Sequence, residues 1–342
     1  MKLHLYPLVI LASLLAPASF GQEKPGHIGE IEFYGRSSLD QSKIREALPV
    51  REGDEFNATG ETIFNLIERV TETLKRVTGS GPTDVSPICC DSQGNWIIYI
   101  GLPGASLRSF QYNPVPRGSV RLPPEALTLY RETMAAWMPA VQKQAAEDVS
   151  QGFALSSDPA LRARQLAVRD YALRNESLLR SVLESSADAQ HRIAAAYLLG
   201  YTRQSNAQIA ALVRASRDSD DTVRNNASRA LGVLATANSK LAERIPAAGF
   251  IEMLSSGSWT DRNKAGYVLD ALTKWRNPRL LGQLRSNALD TLLEMARWRV
   301  NGHAYSARML LGRIAGIEES RLKRLAENGE AEQIIDALKK KS

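Results

Sequence analysis

The sequence predicts a mainly α, multidomain chain: a C-terminal α-solenoid of helical hairpins preceded by a small α+β domain of order β-α-α-β-β. Three observations carry this expectation. A short pattern centred on alanine recurs through the second half. Apolar runs with strand-like and then helix-like spacing, broken by glycine turns, fill the first hundred positions. The charge is divided: residues 22–158 hold 13 Lys+Arg and 18 Asp+Glu, whereas residues 159–342 hold 29 and 19. A chain of 342 residues can build more than one core.

The stretch "MKLHLYPLVILASLLAPASFGQEK" sets Lys2 before an apolar run from Leu5 to Ala16, followed by small residues. This is the layout of a secretory signal peptide, expected over 1–21. The run is short for a membrane span, which needs about 20 apolar residues. The expected location is therefore the periplasm or cell envelope of a bacterium, with release to the medium as the alternative. Two cysteines are too few for a disulfide scaffold, so an ordinary packed core is expected.

Residues 27–103 are expected to form the small domain. Ile28, Ile31 and Phe33 mark a strand that Gly35 ends. "SLDQSKIREAL" (38–48) reads as a helix with Ser38 as N-cap, and Gly53-Asp54 as the turn after it. A longer helix over 57–77 carries Ile63, Leu66, Ile67, Val70 and Leu74 on one face. "DVSPICCD" and "NWIIYIGL" read as two strands joined at Ser92-Gln93-Gly94. Residues 104–123, rich in Pro and aromatics, are expected to be a linker. Residues 124–158 are expected to be connecting helices, kinked or split at Pro139.

Residues 159–342 form the repeat domain. "QHRIAAAYLLGY" (190–201), "TVRNNASRALGV" (222–233), "TDRNKAGYVLDA" (260–271) and "GHAYSARMLLGR" (302–313) align, with a weaker copy at 160–173. The shared alanines are Ala167, Ala195, Ala227, Ala265 and Ala307, each followed four residues later by Tyr171 or a Leu. A small and a large residue at i and i+4 share a helix face and let two helices interlock. Three residues before the alanine stand Arg164, Arg192, Arg224 and Arg262, with Ala304 in the last copy. Each period contains a second amphipathic segment, so the unit is a helical hairpin that buries its apolar face only against its neighbours. "DDTVRNNASRALGVLA" (220–235) above all, and then "DAQHRIAAAYLLGY" (188–201), resemble the HEAT-repeat family, over roughly 160–340 and four to five repeats. Asp188, Arg192, Asp221, Arg224 and Arg262 are expected to form a structural ladder between repeats. The final segment, with Glu first and Lys last, reads as a capping helix.

"IGEIEFYGRSSLDQSKIREALPVREGDEF", with the strands after it, resembles a POTRA domain over 27–103. The resemblance implies an interaction module that takes up extended peptides by adding a strand at a sheet edge. No β-barrel pattern accompanies it, so a barrel-assembly role is not implied.

No catalytic motif stands out. None of the four histidines has metal-ligand spacing, and His191 reads as a surface residue. The acidic cluster Asp218, Asp220 and Asp221 reads as a helix start. No cofactor, metal or nucleic acid is expected. The expectation is a non-catalytic protein–protein scaffold, its partner unspecified, with the basic half offering contact to an anionic or membrane surface. The alternative is an enzyme or enzyme subunit of the lyase-like HEAT kind, with a site invisible in the sequence. Cys89 and Cys90 are expected in a strand on opposite faces. A trans peptide sets neighbouring Cα atoms 3.8 Å apart, below the usual disulfide range of about 4.4–6.8 Å, so a buried free thiol is the main reading and a vicinal disulfide the lesser one.

Overall fold

A computed structural model describes residues 26–35, 39–103 and 110–340. The expected signal peptide over 1–21 and Ser38 lie outside them. Among the described residues the chain is mainly helical, with one three-stranded sheet and one short hairpin. The order is β1 (Ile28–Tyr34), α1 (Gln41–Ala47), α2 (Gly60–Thr78), β2 (Asp84–Cys89), β3 (Trp96–Gly101), α3 (Pro124–Gln142), β4 (Glu147–Asp148) and β5 (Leu155–Ser156). Helices α4 (Pro159–Ser185), α5 (Ala189–Leu199), α6 (Asn206–Ala215), α7 (Asp221–Ala237), α8 (Ser239–Ala242) and α9 (Ala247–Met253) follow. The chain continues with α10 (Trp259–Thr273), α11 (Pro278–Ala296), α12 (Asn301–Ala315), α13 (Glu319–Glu327) and α14 (Ala331–Lys339).

Two compact units divide these elements. One contains Phe110–Leu254 and Asn263–Ala288; the other contains the sheet module with Ser255–Arg262 and the chain from Leu289 onward. The division does not follow a boundary at 159.

In the sheet module β3 is central, parallel to β1 and antiparallel to β2. Gly94, at φ +87°, turns the chain between β2 and β3. Asp40, not Ser38, caps α1, accepting from the N–H groups of Ser42 and Lys43. One sheet face packs Ile31, Phe33, Ile98 and Ile100 against Ile44, Leu66, Val70 and Leu74 of α1 and α2. The other face is covered by later residues of the same unit. Tyr99 stacks on Trp259 at 4.7 Å, and its hydroxyl is 2.7 Å from Nδ1 of His303. Tyr34 is 2.8 Å from both the Asp84 carboxylate and the Gly257 carbonyl. A sheet buried on both faces explains why "WIIYIG" is a continuous apolar run rather than an alternating one. At its rim Arg299 joins Glu30, Glu32 and Glu52.

In the other unit, the expected linker is packed rather than free over its described part. The N–H of Asn113 donates to Arg217, Gly118 bridges to Ser186, and the N–H of Leu122 donates to Nδ1 of His191. His191 is therefore buried and acts as an acceptor, not a surface residue. Pro139 lies near the end of α3 without splitting it, and residues 147–156 form the β4–β5 hairpin rather than helix.

The repeated arginines share one task. Arg192 donates to the carbonyls of Ser186 and Ala187, Arg224 to those of Asp218 and Ser219, and Arg262 to that of Ser256. In each case the chief acceptor lies six residues upstream, on the loop that enters the helix. Arg162 reaches Ser156 in the same way, so the first copy is registered on Arg162 rather than on Arg164. Arg164 pairs instead with Glu132 on the surface. Arg192 also makes a two-bonded fork with Asp218, 2.9 Å on each arm and buried. Arg192→Met should cost about 3–5 kcal/mol, because the Asp218 carboxylate then lies buried without its guanidinium. Urea denaturation will read this; a loss below about 0.5 kcal/mol, the surface-substitution range, would mean that the pair is unimportant.

Candidate functional site

The β4–β5 hairpin lies against α7, where Val149 and Ala154 share a small core with Val233. That packing sets Glu147 beside Arg229, and the two form an ion pair. Arg229 stands two residues after Ala227. Tyr197 and Tyr267 stand two after Ala195 and Ala265. Each alanine is fully buried between helices. Two further residues turn roughly 200° around the helix, so one side chain per repeat is presented on another common face. Lys264 precedes Ala265 and lies one turn before Tyr267 on α10, which brings their side chains to the same side. Gly232 makes room for this arrangement: a Cβ there would lie 2.3 Å from the Tyr267 ring.

Around these residues gather further polar groups. Tyr197 and Tyr201 hydroxyls are 3.3 Å apart, and Tyr130 meets the Tyr197 ring edge-on at 5.5 Å. Burial raises Tyr197 well above its ordinary range, and lifts Tyr201 and Tyr267 to about 12, so all three stay protonated and able to donate. Burial by itself would lower Arg229, but Glu147 and the tyrosines outweigh it and hold the guanidinium charged. Lys264 is pulled down to about 7, first by burial and then by Arg229, with Glu147 opposing. Only 5% of Lys264 is exposed, and it makes no hydrogen bond or ion pair with any described residue. A buried amine that changes charge near neutral pH, under the influence of Arg229 and Glu147, is chemically the most unusual group of this cluster.

The residues singled out in the sequence lie elsewhere. Asp188 caps α5 and stands 3.9 Å from Arg121. Asp221 is exposed in the first turn of α7, whose cap is Asp220. Neither meets an arginine of the expected ladder; Asp218 does that for Arg192, and Glu294 for Arg262 at 2.8 Å. The guanidinium of Arg224 lies over the Tyr112 ring. Cys89 and Cys90 are joined in a vicinal disulfide, so the free-thiol reading is corrected. The spacing argument assumed a trans peptide; the bond between them is cis, with Cα atoms 3.1 Å apart. Among the described residues no group of His, Cys, Asp and Glu could hold a metal ion, and no helix is long and apolar enough to cross a membrane.

Sequence reasoning missed the Glu147–Arg229–Lys264 cluster. A signal was present: the position two after each repeated alanine reads Tyr, Arg, Tyr in three successive copies, among otherwise apolar surroundings. No protein-family model matches the chain, and no curated protein matches it.

Lys264 carries a stability consequence with a definite sign. The folded amine loses its proton near pH 7, whereas an unfolded lysine keeps it to about 10.4. Between those values the unfolded chain binds more protons, so native stability rises with pH from 7 toward 10; below 7 both states are protonated and the penalty is complete. Lys264→Met should therefore raise Tm by about 2–4 °C or more at pH 6, with the gain fading by pH 10. Equal melting of the two proteins at pH 6 would show that the ammonium is adequately solvated.

Proposed function

We propose that this chain is a non-catalytic scaffold of the bacterial envelope, in which HEAT-like helical repeats bind a protein partner and the POTRA-like module is a docked accessory. The observation that carries the reading is the row Tyr197, Arg229 and Tyr267, one side chain from each of three repeat helices and each half-buried. Tyr and Arg are the side chains most enriched where interface energy is concentrated. A repeat architecture lines such positions up into an extended surface without any further device. The loop-locking arginines and the alanine spacing support the HEAT-like part of this reading, and the β-α-α-β-β order supports the POTRA-like part.

Strand addition is less favoured than the helix face. On the β1 edge the N–H of Ile31 donates to Glu52, and the carbonyl of Ile31 accepts from Arg45 and Arg299. The N–H of Gly35 donates to Glu294. On the opposite edge, β2 carries Pro87, which lacks an N–H. Two edges with their pairing groups engaged or removed leave little for an incoming strand.

A second reading, an enzyme or enzyme subunit, draws on Lys264 itself, since shifted amines concentrate at reactive sites. Affinity capture from the native envelope with the full-length chain separates the two. Tyr197→Ala with Tyr267→Ala should reduce recovery of a specific partner at least roughly tenfold, the loss expected for an interface anchor. Undiminished recovery would remove the helix face from the reading. Turnover of any substrate that disappears in Lys264→Met would favour the enzyme.

A further inference from the structure

We propose that Lys264, set beside Arg229, is a carboxylate-binding site that receives an acidic side chain of a polypeptide. For the source of the carboxylate this rests on the scaffold reading above; the site itself does not. Three observations lead to it. The ammonium of Lys264 has three N–H donors, 5% of the residue is exposed, and no described residue accepts from it. Nearby acid is already committed, because Glu147 is bonded to Arg229 and makes no ion pair with Lys264. The bordering Tyr197, Arg229 and Tyr267 are only half-buried, so a ligand reaches the amine from the face they line.

Charge selects the ligand class. With Lys264 protonated, Lys264 and Arg229 together exceed Glu147 by one positive charge. A monoanion balances the cluster, whereas a phosphate dianion would leave a net negative charge in a desolvated place. The charged groups that act on Lys264 are Arg229 from α7 and Glu147 from β4. Bringing a carboxylate to the amine favours its charged form, so binding takes up a proton near and above neutral pH. Affinity therefore falls as pH rises from 6 to 9.

Thermal melting of the full chain at constant ionic strength tests this, with chloride as the reference salt. Acetate should raise Tm in a saturable way, more at pH 6 than at pH 9, and inorganic phosphate should raise it less. Lys264→Met should lose the acetate response. An acetylated, amidated tripeptide with a central glutamate should act like acetate at lower concentration, and its glutamine counterpart should not. A response equal for acetate, phosphate and chloride, or the same response in Lys264→Met, would overturn the site. A flat pH dependence in the wild-type protein would overturn it independently of the variant. Acetate binding with no preference for the glutamate peptide would overturn the polypeptide source. Lost partner capture with the acetate response intact would count against the scaffold alone, and the reverse pattern against this site alone.

Discussion

An arginine in the first turn of a helix, reaching back over the loop that leads into it, fixes how the helices α5, α7 and α10 begin. Tight turns between helices bury carbonyls that have no donor of their own. A guanidinium offers five N–H groups in a rigid fork and can satisfy two such carbonyls while still gripping an acid. Arg192 does all three, with Ser186, Ala187 and Asp218. Once that angle is set, every later residue of the helix has its facing determined. Ala195, Ala227 and Ala265 meet neighbouring helices because of it, and Tyr197, Arg229 and Tyr267 are turned to the common face for the same reason. Where the last copy has Ala304 instead, Arg308 takes over one turn later and serves the carbonyls of Ala296 and Trp298. The task is kept although the sequence position moves, which identifies the loop carbonyls as the constraint.

Much of this architecture was legible in the sequence. Alanine, leucine and arginine spacing marked the helices α5, α7, α10 and α12, and glycine turns with alternating runs marked the sheet. What the spacing did not carry was partnership. The ladder expectation joined arginines to Asp188 and Asp221, whereas capping claims Asp188 and solvent claims Asp221. A carboxylate at a helix start has two uses, capping or pairing, and only the loop geometry decides between them. The register of the first copy failed for a related reason: only Arg164 stands three residues before an alanine, Ala167, yet it is Arg162 that reaches the carbonyl of Ser156. The candidate site was hidden because its members, from Glu147 to Lys264, are separated by as many as 117 positions and lie on a hairpin as well as on helices.

The sheet module shows the same limit from another side. Its resemblance implied a sheet edge open to an added strand. Trp259, Trp298 and His303 cover the second face, packed on Tyr99 of β3. Tyr99 and Ile97 in the sequence are indistinguishable from ordinary core residues, since a strand buried on one side or on two differs only in its polar alternation. "WIIYIG" had already lost that alternation, so the information was present but ambiguous with a buried helix segment.

The polar row argues for a role beyond packing because the other repeats provide an internal comparison. Two residues after the shared position, α12 has Met309, and α4, registered on Arg162, has Ala167. Met309 is 1% exposed and packs without polar partners of its own, so the fold is satisfied by an apolar residue at that place. Stability by itself would favour the same solution on α5, α7 and α10. Those helices carry two tyrosines and an arginine, and α10 adds a lysine whose burial opposes folding through desolvation. A lysine held in a place where burial disfavours its charge is a destabilising feature, and on α10 it adjoins the face that carries Tyr267. An acidic ligand at Lys264, as proposed above, would offset that cost by favouring the charged amine.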